Sequence, residues 1–111
     1  MWNENKVSIG DFKKIDIRIG KIVEVTEHPD ATRLLVLKVD IGSGVCQVVA
    51  GIKNSYAPES LIGKSVVVVC NLQVANIRGI DSEAMLLATK TDKEIILLVP
   101  DKEAPQGSVV S

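Results

Sequence analysis

"IDIRIGKIVEV", residues 15 to 25, decides how this chain is read. Ile15, Ile17, Ile19, Val23 and Val25 share one parity, while Asp16, Arg18, Glu24 and Thr26 share the other. A period of two is the mark of a strand with one buried face and one wet face. The alternation slips at Lys21 and Ile22, just after Gly20. A glycine beside a phase break predicts a bulge or sharp bend, of the kind barrels use to turn corners.

Toward the N-terminus, "SIGDFKKI" places Asp11 three residues after Ser8, a capping pattern that predicts a short helix burying Ile9, Phe12 and Ile15. Toward the C-terminus, "HPDATR" is a polar loop, and "LLVLKVDIG" resumes alternation with Leu35, Leu37, Val39 and Ile41 inward and Lys38 and Asp40 outward. "GSG" then makes a tight turn into "VCQVVAGI", so residues 38 to 49 read as a hairpin. In "NSYAPESLIGK", Pro58 suits the first turn of a helix and Gly63 its end. "SVVVVCNL", "EAMLLAT" and "EIILLVP" supply three more apolar segments, the last two joined by "KTDK". "NIRGIDSEAML", residues 76 to 86, reads as an irregular hairpin, its apolar runs separated by an arginine, a glycine, two acids and a serine.

Six short strands, frequent turns and a small helix after the third strand predict an all-β protein. The expected architecture is an OB-fold, a five- to six-stranded antiparallel Greek-key barrel with short helices. With 111 residues, 46% of them apolar, the chain is expected to form one domain over residues 1 to 111 with a single core. No unbroken apolar run exceeds the five residues of "VVVVC" from Val66 to Cys70, far short of the roughly 20 a membrane-spanning helix needs. "MWNENK" carries neither a basic patch nor a following apolar block, so no signal peptide and a cytoplasmic location are expected.

The chemistry-bearing residues are few. Cys46 and Cys70 both fall in apolar runs, where free thiols act as small hydrophobes, and inert thiols are expected. His28 is the sole histidine and no C-x-x-C pair exists, so neither a metal nor another cofactor is expected. No G-x-S-x-G elbow or phosphate-cradling glycine motif occurs, and His28 beside Pro29 reads as a loop-fixing residue rather than a catalytic base. No catalytic residues are assigned. A net charge of −1 argues against binding nucleic acid through many phosphates at once. The charge is uneven, however: residues 1 to 80 hold ten Lys and Arg against eight acids, and residues 81 to 111 hold three against six. Any nucleic acid must therefore meet a local patch.

"HPDATRLLVLKVDIG", "QVVAGI", "GKSVVVVCNL", "RGIDSEAMLLA" and "LVPDKEAPQGSVV" follow "IDIRIGKIVEV" in the order and spacing of the tRNA-binding domain family, which the chain resembles from about Ser8 to Val110. In that family an OB-fold module is appended to methionyl-tRNA synthetase, or stands alone as its beta subunit or as a free structure-specific tRNA-binding protein. The resemblance implies a non-catalytic accessory module that docks tRNA, with Asn71, Arg78, Ser82 and Met85 on the contacting face. The chemistry suits RNA: a guanidinium can fork onto phosphate, small polar groups can reach sugars or bases, and a thioether can pack on an unstacked base. Arg33 and Lys38, on the neighbouring loop and strand, are added as candidates for backbone contacts. An ion pair from Arg78 to Asp81 or Glu83, a turn-capping Ser82 and an Asn71 that bridges backbone are the competing structural readings.

Two departures from the family pattern stand out. Its S-x-G-M is Ser82-Glu83-Ala84-Met85 here, and "QVAN" before Ile77 lacks the lysines and arginines common at that place. Glu83 and Ala84 lean toward relatives of the CsaA export chaperone, which share the opening pattern and bind unfolded polypeptides. That is the alternative function. With Trp2, Phe12 and Tyr56 the only aromatics, stacking along a single strand is not expected; recognition of tRNA shape is. The resemblance also implies a homodimer, and a synthetase catalytic subunit as a possible partner. Trp2, Phe12, Val109 and Val110 are apolar groups suited to the dimer interface.

Overall fold

The computed structural model describes residues 4–111; Trp2 lies outside them. In chain order the elements are α1 (Ile9–Phe12), β1 (Ile17–Glu27), β2 (Leu35–Asp40), β3 (Val45–Ala50), α2 (Pro58–Leu61), β4 (Ser65–Val69), β5 (Ala75–Ile77), β6 (Ile80–Ser82), β7 (Met85–Leu86), β8 (Ala88–Lys90), β9 (Ile95–Leu97) and β10 (Val109–Val110). The main sheet runs β3-β2-β1-β4-β7, with β10 added to β1, and all of its pairings are antiparallel. It is the all-β OB-fold barrel that the strand pattern predicts. No helix among the described residues is long and apolar enough to cross a membrane.

β1 organises the sheet. Its first half pairs with β4 on one edge, from Ile17 with Val69 to Lys21 with Ser65, and its second half pairs with β2, from Lys21 with Asp40 to Glu27 with Leu35. β10 takes the part of the edge that β2 leaves open, setting Val110 against Ile17 and Val109 against Arg18. The phase break is real, but it falls later than the glycine. The β1–β2 register shifts between Ile22 and Glu24, so Val23 is the extra residue and turns outward. Gly20 serves packing instead: a Cβ there would sit 2.6 Å from Val39 Cγ1 and 3.1 Å from Val68 Cγ2.

Twelve buried residues form the core, among them Ile22, Leu37, Val39, Val48, Val66, Val68 and Leu86. Eight of them come from the strands of the main sheet, every one except β10 contributing, and Ile52, Leu61 of α2, Ala84 and Leu97 of β9 complete the set. Pro58 opens α2 as predicted, and Gly63, at φ +88°, stands just past its end. The function of α2 is to plant Leu61 in the core with no exposed surface. α1 starts as expected, with Ser8 Oγ accepting from the Asp11 N–H at 3.0 Å. Its predicted burial does not follow: Ile9 is 68%, Phe12 37% and Ile15 44% exposed. The core takes its one helical side chain, Leu61, from α2 and none from α1.

The predicted 38 to 49 hairpin forms, with Lys38 opposite Gln47 and Val39 opposite Cys46. The segment expected to be an irregular hairpin is in fact a regular one. Ile77 pairs with Ile80, so Arg78 and Gly79 alone make the turn, at φ 51° and 94°. Positive φ at both central residues is the type I′ pattern whose twist matches the flanking strands.

Candidate nucleic-acid interface

The β5–β6 hairpin stands off the main sheet as a two-stranded ribbon. Three-residue strands are too short to hold such a ribbon by themselves, and the body of the protein grips it. His28, buried in the loop after β1, has Nε2 3.1 Å from the Ile77 carbonyl oxygen. Gln47 of β3 donates from Nε2 to the Asp81 carbonyl at 2.8 Å. At the base of the hairpin, side chains replace ordinary strand rungs. The Val49 N–H donates to Ser82 Oγ at 3.0 Å, and the Gln47 N–H donates to Glu83 Oε1 at 2.6 Å. The Glu83 N–H returns a bond to the Gln47 carbonyl at 2.7 Å, which closes the barrel between β3 and the β6–β7 corner.

At the tip, Arg78 is the only non-glycine residue with positive φ among those described. The left-handed region costs an L-residue with a Cβ roughly 1–2 kcal/mol. Neither of the acids proposed as its ion-pair partner takes that role. Asp81 Oδ1 accepts from Asn76 Nδ2 at 3.1 Å and Glu83 is bonded to β3. The exposed guanidinium has no hydrogen bond or ion pair with any described residue. Arg33 is likewise exposed, and its backbone carbonyl accepts from the Lys53 N–H at 3.3 Å. Beside the hairpin a groove of about 410 Å³ opens, walled chiefly by Val49, Ile77, Met85, Leu86, Ile95 and Leu97. Met85 is 46% exposed on its rim.

The other three expected contacts are differently employed. Ser82 is 7% exposed, and its hydroxyl accepts from Val49 while donating to the Ala84 carbonyl at 3.2 Å. Asn71 staples the N-terminal segment to the end of β4, accepting from the Asp16 N–H at 2.8 Å and donating to the Lys14 carbonyl at 2.7 Å. Lys38 Nζ donates to Gln47 Oε1 at 2.6 Å and so supports the residue that holds Asp81. Each is therefore engaged inside the protein; the buried Ser82 hydroxyl has spent its one donor, whereas Lys38 Nζ and Asn71 Nδ2 keep N–H groups beyond the bonds named. The departure at Ser82-Glu83-Ala84-Met85 is explained by packing: Ala84 is buried in the core, and the Glu83 carboxylate replaces a strand acceptor.

Sequence reading left Gln47 out, and it gave His28 only half of its role. The loop-fixing half is present, as the Asp30 N–H donates to Nδ1 at 3.0 Å. No group of three or more potential metal ligands gathers among the described residues. Burial, with smaller contributions from Cys70 and Glu83, pushes the Cys46 thiol up to about 11, and burial also raises Cys70. Both sulfurs are free and half-buried. At pH 8 alkylation of Cys46 is expected to run on the order of 100-fold slower than that of free cysteine, because thiolate is the reacting form. Timed iodoacetamide labelling read by mass spectrometry checks this.

A closed β barrel that displays one strained cation beside an apolar groove is a binding module in construction. Residues 17–109 match the family model described as "putative tRNA binding domain". The chain is 49% identical over 102 residues to the methionine-tRNA ligase of Thermococcus kodakarensis, a match covering 92% of this chain and 14% of that enzyme. It therefore spans about one seventh of that relative's length. Among solved structures, the CsaA chaperone protein of Picrophilus torridus superposes with a TM-score of 0.89 at 32% identity, covering 96% of this chain and 100% of that one. A methionyl-tRNA-synthetase-related protein of Pyrococcus horikoshii gives a TM-score of 0.89 at 27% identity, with 96% and 99% covered. The chain belongs to the putative tRNA binding domain family.

Proposed function

We propose that this chain binds tRNA by shape, with Arg78 taking a backbone phosphate, Arg33 a second one, and Met85 packing on an exposed base at the groove rim. The observation that carries the reading is the unpaired guanidinium held in a left-handed turn. Strain of that kind, kept at an exposed tip, points to a job that stability does not explain. The function is non-catalytic: a cytoplasmic accessory module or beta subunit that delivers tRNA to a methionyl-tRNA synthetase catalytic subunit in trans. Similarity to one seventh of a methionine-tRNA ligase supports that partner.

Binding of bulk tRNA and of a mixed-sequence single strand of equal length, titrated across salt, tests the reading. Two phosphate contacts give a slope of log K against log salt of about −1.4 to −1.8, and tRNA should be preferred. A second reading is favoured by the groove, whose walls are almost wholly apolar, and by the likeness to CsaA chaperones. In it the groove holds apolar side chains of an unfolded polypeptide. Salt-independent binding, displaced by denatured protein and not by tRNA, would replace the first reading with this one.

The working unit is a homodimer. Val7, Ile9, Phe12, Ile15 and Val109 are exposed, and pairing of β10 with the start of β1 brings Val109 close to the segment that Asn71 staples down. Sedimentation of the native chain is expected to give twice the 11.9 kDa chain mass. Ile9→Asp should return it to monomer, because a carboxylate buried in an apolar interface has no partner there.

A further inference from the structure

The reach of His28 exceeds its loop. Its ring is buried and both nitrogens are used. Accepting from the Asp30 N–H at Nδ1 leaves the ring proton on Nε2, aimed at the carbonyl of Ile77, 49 residues along the chain. Ile77 immediately precedes Arg78. Among the described residues, this is the only hydrogen bond from the body of the protein to β5. The other strand is held separately through Gln47 and Ser82. Freeing one strand of a ribbon this short lets the turn pivot about the strand still held.

We infer that His28 is a positioning residue: by holding the Ile77 carbonyl it fixes the direction in which Arg78 is presented to RNA. The inference rests on the proposed role of Arg78 as a phosphate contact. A contact requiring a guanidinium fork is sensitive to its angle, and therefore to whatever orients the turn.

Two substitutions separate the two jobs of the ring. Asparagine places an oxygen where Nδ1 stands, so His28→Asn keeps the Asp30 bond and loses the reach to Ile77. Glutamine places its amide nitrogen near the position of Nε2, so His28→Gln can restore that bond. His28→Asn is expected to weaken tRNA binding about fivefold, which is one neutral hydrogen bond expressed as a ratio. His28→Gln should bring affinity back to within about twofold of the native chain. In an Arg78→Ala background His28→Asn should change nothing further, since no guanidinium is left to aim. NMR of the free variant supplies a second readout: the Gly79 amide, bonded to Asn76 Oδ1, should shift while the core amides stay in place.

If Arg78→Ala weakens binding and His28→Asn does not, or if His28→Asn weakens it equally in both backgrounds, the positioning role is wrong and the phosphate contact survives. If Arg78→Ala itself leaves binding unchanged, the contact fails and the positioning role goes with it.

Discussion

Arg78→Asn is expected to make the protein more stable and a poorer binder of tRNA. The two effects have opposite signs because they have separate causes. Asparagine tolerates the left-handed region far better than arginine, so it should recover most of the conformational cost, roughly 1 kcal/mol, or about 4–8 °C in melting temperature. No intramolecular bond is lost, since the guanidinium has no partner among the described residues. Binding loses a charge-assisted contact of about 1.5–3 kcal/mol, which is roughly 10- to 150-fold in affinity. The salt slope should fall by about 0.7–0.9, the signature of one phosphate left unneutralised. Arg78→Lys keeps the charge and gives up the fork, so it should fall between the two. Thermal melts beside salt-titrated binding decide the matter. A variant that loses both stability and affinity would mean that Arg78 supports the fold, and unchanged affinity would remove it from the interface.

That result bears on why the hairpin was hard to read. A two-residue turn is normally signalled by Asn-Gly or Asp-Gly, and here the first position is arginine. The residue that hides the turn is the one proposed to meet RNA. Local patterns were legible wherever local forces rule: the parity of β2, the β2–β3 hairpin, the serine cap of α1 and the proline start of α2. Long-range placement was not. Gly20 looked like the bulge, but its need is set by Val39 and Val68 from other strands. β10 carries only two valines, too short a run to show a period, and its partner lies at the far end of the chain.

The candidate site divides along the same line. Arg78 stands out in the sequence as a cation between Ile77 and Gly79 with no packing purpose, and its guanidinium is exposed and unpaired among the described residues. Ser82, Asn71 and Lys38 were attractive as polar residues near it, but each turns to a partner 9 to 57 residues away that no window of sequence displays. Gln47 and His28, which hold the hairpin's two strands, sit in segments with no chemical motif.

Which side chain closes the barrel is the remaining question with a large measurable consequence. Leu61→Ala is expected to destabilise the protein by about 3 kcal/mol, with a fall in melting temperature on the order of 10 °C. Leu61 is the only buried side chain of a four-residue helix that has no side-chain N-cap bond, so it is the side-chain anchor of α2, beside the backbone bonds that Gly63 and Lys64 make to Ile22. Truncation leaves a cavity which the strands around it, fixed by their pairings, can fill only in part. Phe12→Ala should behave differently. With more than a third of its surface exposed, Phe12 should lose less than about 1 kcal/mol of monomer stability, and self-association should weaken instead. Denaturant titrations of the two variants, with sedimentation at matched concentration, separate a plug from an interface residue. Should Phe12→Ala prove the more damaging to the monomer, α1 would have to pack on the barrel end, and the proposed dimer face would lose its central ring.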